Sequence, residues 1–122
     1  MMMNDKKLTD FLDGKTEYTL GLFRFFISEL EQFGSINIVS LKSMIALEGK
    51  HKFAYITQLG KNFIHVVIPF SKPFNDNFCF SKIAQVPGTS QYNHHLRIYL
   101  EDDFNEEARQ FLRMAYDGED VL

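Results

Sequence analysis

Tryptophan is absent from this 122-residue chain, cysteine occurs once, and there are only three prolines. A single cysteine excludes an internal disulfide framework. No apolar run reaches the 18 or more residues that a membrane-crossing helix needs. The opening residues Met1-Met2-Met3-Asn4-Asp5-Lys6-Lys7 contain no apolar h-region, so no secretory signal is expected. Charge of either sign is modest, with 13 Lys and Arg against 16 Asp and Glu for a net −3. That balance argues against a protein whose main work is gripping phosphate backbones or anionic membranes. Glycine-rich phosphate loops and the GxSxG nucleophile elbow are also missing. The expectation is a soluble cytoplasmic chain folded as a single domain over residues 1–122, with residues 1–15 as a helical extension.

What the chain has in quantity is phenylalanine, 13 of them beside 5 tyrosines. Large rings provide enough apolar surface for a core that folds without metal or disulfide.

Side-chain periodicity places the elements. Leu8, Phe11 and Leu12 form one helical stripe over residues 4–12, with Asp5 as its cap. Thr16 caps a longer helix over residues 16–33, whose Leu20, Phe23, Phe26, Ile27, Leu30 and Phe33 recur at three- and four-residue steps before Gly34. Leu22 and Phe25 widen its apolar arc toward the first helix. From Ser35 the period becomes two. Runs at 35–40, 43–47, 52–59, 62–70, 78–86 and 91–100 read as strands, with Gly60-Lys61 as a two-residue hairpin loop. Asp103 with Glu106 matches a capping box for a last helix that ends at Gly118. The fold class is therefore α+β: two N-terminal helices, an antiparallel meander of five or six strands, and a C-terminal helix, with the helices on one sheet face.

Those hairpin loops set a register. One face reads Met44, Ala46, Phe53, Tyr55, Ile64, Val66 and Ile68, and is the expected seat of the helices. The other carries Ile45, Leu47, Ile56, Phe63 and Val67, with His65 among them. A solvated antiparallel face should be mostly polar, and monomers rarely expose so large an apolar patch. A second copy of the chain, a bound ligand or curling of the sheet would each cover it, and a homodimer is the expected partner. In the last strand, His95, Arg97 and Tyr99 should project to the same side as His65. A His, an Arg and a Tyr beside an apolar floor suit a small anionic ligand. The plainer reading is a partly exposed strand with ordinary polar residues.

Other chemistry has weaker support. Adjacent His94 and His95 point to opposite sides of a strand and cannot chelate one ion. Cys79 has no CxxC partner and reads as an inert thiol between Phe78 and Phe80. Neither a metal nor a cofactor is expected, and no catalytic residue is assigned. Asp102-Asp103 and Glu106-Glu107 are explained by a helix N-terminus. Lys42, Lys50, Lys52 and Lys61 cluster near hairpin tips, where lysines serve solubility, so nucleic acid is disfavoured.

Three stretches carry a family resemblance: Ser43-Met44-Ile45-Ala46-Leu47 with Lys52-Phe53-Ala54-Tyr55-Ile56, then His94-His95-Leu96-Arg97-Ile98, then Phe111-Leu112-Arg113-Met114-Ala115-Tyr116. From Gly34 to Tyr116 the chain resembles the family known as domain of unknown function 5655, often labelled automatically a predicted transport protein. The resemblance implies an α+β domain with a distant likeness to the YdhG and bacterial frataxin-like group, and it supplies no activity. The expected function is a non-catalytic, self-associating interaction or small-ligand-binding module. A nucleic-acid-associated accessory domain and a metal chaperone or enzyme are the alternatives.

Overall fold

Apolar residues three and four apart give way to alternation near residue 36 and return near residue 104, and the backbone follows them. A computed structural model describes residues 6–119 of the protein. Helices α1 (Lys6–Leu12) and α2 (Glu17–Leu30) come first. Strands β1 (Asn37–Ser40), β2 (Ile45–Glu48), β3 (Lys52–Leu59), β4 (Ile64–Phe70), β5 (Lys82–Gln85) and β6 (Tyr92–Ile98) follow. A 3₁₀ turn at Glu101–Asp103 leads into α3 (Glu106–Asp117). The six strands form one antiparallel sheet in the order β1-β2-β3-β4-β6-β5. The fold is thus α+β, as the periodicity predicts. Strands β1 to β4 run as a meander, with the stretch after Ser35 forming an edge; the chain then steps over β6 to lay β5 on the opposite edge.

The helix starts follow local hydrogen bonding. The Thr16 hydroxyl accepts from the Thr19 amide at 3.1 Å and caps α2, with Glu17 in the positive first turn. The cap of α3 is Asn105, whose side chain accepts from Ala108 N at 2.9 Å. Asp103, the expected cap, instead accepts from the amides of Tyr99 and Leu100. Asp5, the expected cap of α1, lies outside the described residues. Phe25 packs edge-on against Phe104. The expected strand over 78–86 shortens to β5: Phe80 packs on His94 and Phe111 over the core, and Phe78 is fully exposed.

The main correction concerns register. Residues 60–63 form a four-residue loop closed by Gly60 N–H to Phe63 O at 2.9 Å, not a two-residue one. Leu59 therefore opposes Ile64, and Gln58 opposes His65. Thr57 is then an extra residue on β3, so Ile56 opposes Val66 and Tyr55 opposes Val67. A bulge of one residue sends every side chain beyond it to the other face. Ile45, Leu47 and Ile56 accordingly lie in the core, fully buried with Ile64, Val66 and Ile68 beneath the helices. Ala46 and Tyr55, paired across β2 and β3, take the opposite face in their place. Phe53, where the β2–β3 register is irregular, remains in the core against Tyr116. Of the five residues expected at a subunit contact, only Val67, which is 8% exposed, and half-buried Phe63 stay outside that core. The outward stripe that called for a second copy is absent.

Candidate functional site: the open face of the sheet

Among the described residues no helix lies over the face that carries Tyr55, Gln58, His65, Val67, His95, Arg97 and Lys82. Antiparallel pairing sets these side chains in two rows. Gln58, His65 and Arg97 lie abreast across β3, β4 and β6. Tyr55, Val67, His95 and Lys82 form the next row, ending on β5. Leu96 and Ile98 alternate inward and are buried. Alternation along β6 therefore brings His65, His95, Arg97 and Tyr99 together, as the sequence implies.

Their contacts form a directed line. The Arg97 Nε–H donates to His65 Nδ1 at 3.0 Å, and a guanidinium nitrogen can only donate. His65 Nδ1 is therefore the bare nitrogen, and its Nε2 carries the proton. That Nε2–H faces His95 Nδ1 at 2.8 Å. His95 in turn keeps its hydrogen on Nε2, at the end of the line. The network assigns both rings as neutral Nε2–H tautomers. A second Arg97 nitrogen donates to the Tyr99 hydroxyl at 3.3 Å. The guanidinium lies 4.7 Å above the Phe63 ring, and Phe63 meets Tyr99 at 5.4 Å.

Burial and charge both act against imidazolium here. Desolvation holds His65 below its ordinary 6.5, reinforced by His95 and Arg97. Desolvation likewise lowers His95, with Lys82 and Arg97 adding to it. Lys82 and Arg97 belong to none of the ion pairs among the described residues, which join Lys52 to Glu48, Arg109 to Glu29 and Arg113 to Asp117.

The first turn of α2 holds the site from beneath. The Thr16 hydroxyl donates to Lys61 O at 2.7 Å, and the Thr19 hydroxyl donates to Phe63 O at 2.9 Å. The Tyr18 hydroxyl donates to Tyr99 O. Neighbouring residues of one helix thus fix the backbone under both rings of the Phe63–Tyr99 pair. Gln58 and Phe63 also border a cleft of about 500 Å³ that reaches Lys15 and Lys61.

The chemistry of this surface is that of hydrogen-bond donors around a small apolar floor. Arg97, Lys82, His95 Nε2–H and the Tyr99 hydroxyl all offer protons, and among the described residues no carboxylate pairs with Arg97 or Lys82. Such a set suits a carboxylate, sulfate or phosphate group. Sequence reasoning missed Lys82, because nothing in the β5 pattern shows that it pairs with β6. It placed Phe63 at a subunit contact instead of under Arg97.

The other candidates are dispersed. His94 is fully buried on the core side, its Nδ1 donating to Tyr92 O at 2.9 Å and its Nε2 accepting the Phe74 amide at 3.1 Å. His51 Nε2 lies 3.1 Å from Ala115 O, beside the C-terminus of α3. Among the described residues no three His, Cys, Asp or Glu side chains converge on one point. The Cys79 thiol is pushed up to about 12 by burial first and then by Glu107. Lys42 and Lys61 lie in turns at one end of the sheet and Lys50 in a turn at the other, so they make no single basic patch. No helix among the described residues is long and apolar enough to cross a membrane.

Comparison with known proteins adds one relationship. No curated protein and no solved structure is significantly similar to the chain, so the YdhG and frataxin-like likeness finds no support. One family profile matches residues 8–118, spanning α1 through the end of α3. On that match the chain belongs to the family described as domain of unknown function DUF5655.

Proposed function

We propose that the chain is a non-catalytic binding module that takes a small acidic ligand on the open sheet face. The observation that carries this reading is the donor set of Arg97, Lys82, His95 and Tyr99, unneutralised among the described residues, around a fixed histidine pair. Arg97 presents its remaining N–H groups outward while Phe63 supports its flat face, which suits planar, two-pronged recognition of an oxyanion. Both imidazoles spend their bare nitrogens on Arg97 and on each other. Neither ring, in this arrangement, has a lone pair free to activate a nucleophile, which favours binding over catalysis.

Self-association does not form part of the reading, because its argument needed Ile45, Leu47 and Ile56 outside the core. Calorimetric titration of the chain with benzoate and with sulfate tests the proposal. Arg97→Gln should weaken both at least about tenfold, in line with the loss of a charge-assisted bond worth roughly 1.5–3 kcal/mol. An Arg97→Gln chain that binds either anion as well as the parent contradicts it. Salt-sensitive binding of single-stranded oligonucleotides, unmatched by either small anion, would favour the nucleic-acid alternative instead.

A further inference from the structure

We infer that the open-face site binds its anion together with one proton, so that acidification tightens binding. The inference rests on the ligand reading above and specifies how the site is regulated.

In the unliganded line from Arg97 through His65 to His95, only His65 Nδ1 and His95 Nδ1 lack hydrogen. Each of them faces an N–H, at 3.0 Å and 2.8 Å. A proton added to either nitrogen sets two N–H groups head to head and breaks that hydrogen bond. The charges nearby oppose it as well. Arg97 lies on β6 beside His95 and across from His65, and Lys82 on β5 pairs with His95. Tyr99, just after β6, and Tyr55 on β3 are the other titratable side chains on this face. Asp103, on the 3₁₀ turn that follows β6, is committed to the Tyr99 and Leu100 amides. Empty, the pair resists protonation.

An oxyanion bound to Arg97 and Lys82 removes both objections. It cancels the positive field over the rings, and its oxygens accept the N–H displaced from the broken hydrogen bond. One solvent proton is taken up at His65 or His95, no covalent bond changes, and the complex holds one imidazolium. Proton and anion then favour each other equally, because the coupling is reciprocal. A single linked proton limits the gain to about tenfold in affinity per pH unit.

The test titrates the full chain with benzoate and sulfate, neither of which changes charge near neutrality, in two buffers of different ionisation enthalpy. Binding at about pH 6 should be roughly tenfold tighter than at about pH 8, within the usual 5–150-fold range of coupling. The difference between buffers should report proton uptake approaching one per anion. Nitrogen-15 NMR of the unmutated chain should show two neutral rings when free and one imidazolium when bound. Replacing both rings, His65→Gln with His95→Gln, should abolish the pH dependence and the proton uptake, and a double variant that keeps either overturns the coupling. Arg97-dependent binding whose affinity is flat with pH and which takes up no proton overturns the coupling and leaves the site standing. Failure of both anions to bind at either pH overturns the coupling and the ligand reading together.

Discussion

Replacing Ile56 by alanine separates the observed register from the one the hairpin loops suggest. Ile56 is fully buried beneath the helices, opposite Ile45 on β2 and Val66 on β4. Ile56→Ala removes three carbons, worth about 2.4 kcal/mol of transfer at ~0.8 kcal/mol each. The residual cavity brings the expected loss to about 2–5 kcal/mol. For a domain of this size that lowers Tm by roughly 10 °C or more. Tyr55→Ala, one residue away on the open face and only half-buried, should cost clearly less. Urea unfolding measures both variants, with an unchanged m-value confirming that the unfolding transition itself is preserved. Light scattering on the same samples reads their mass. If Ile56→Ala unfolds within about 0.5 kcal/mol of the parent, the value typical of a surface change, the register is wrong. A halved mass with unchanged stability would instead restore the outward stripe and its dimer.

Three further outcomes follow from other parts of the fold. A Cβ on Gly49 would come within 2.6 Å of the Tyr116 ring, so Gly49→Ala should cost roughly 1–3 kcal/mol. In a Tyr116→Ala background that cost should largely vanish in a double-mutant cycle. Because folding lowers the pKa of His65 and His95, the unfolded chain binds more protons below about 6.5. Stability should therefore fall as pH drops through that value, and His65→Gln with His95→Gln should flatten the profile in acid denaturation. At a pKa of about 12, Cys79 holds on the order of 10⁻⁵ of its thiol as thiolate at pH 7. Iodoacetamide should label it far more slowly than free cysteine, and Glu107→Ala should speed the reaction.

The elements and the site were legible in the sequence to different degrees. Helix α2 could be read because its apolar residues keep one period and Thr16 caps them. The convergence of His65, His95, Arg97 and Tyr99 followed from alternation along β4 and β6, which needs no knowledge of the loops. What could not be read was the coupling between hairpins. Gly60-Lys61 looks like a tight turn, yet Thr16 and Thr19 of α2 take the Lys61 and Phe63 carbonyls and stretch the loop to four residues. Those are tertiary contacts with no local signature. Thr57 is β-branched, as ordinary strand residues are, so the bulge that flips Ile45, Leu47 and Ile56 inward leaves no mark either. Lys82 was missed for the same reason, since its place beside His95 depends on an 11-residue connection that carries β5 past β6. At the start of α3, Asp103 and Asn105 are both cap-forming types two residues apart, and only the 3₁₀ turn decides between them.

The central claim is that the Arg97–His65–His95 line is a donor surface for acidic ligands. Long-range nitrogen-15 NMR of the histidine rings, recorded while benzoate is added at constant pH, tests it most directly. Both rings should begin as Nε2–H tautomers, and the shifts should concentrate on His65, His95 and the Arg97 Nε–H. Rings that begin as Nδ1–H tautomers, or shifts confined to the Arg109 and Arg113 face of α3, would contradict it.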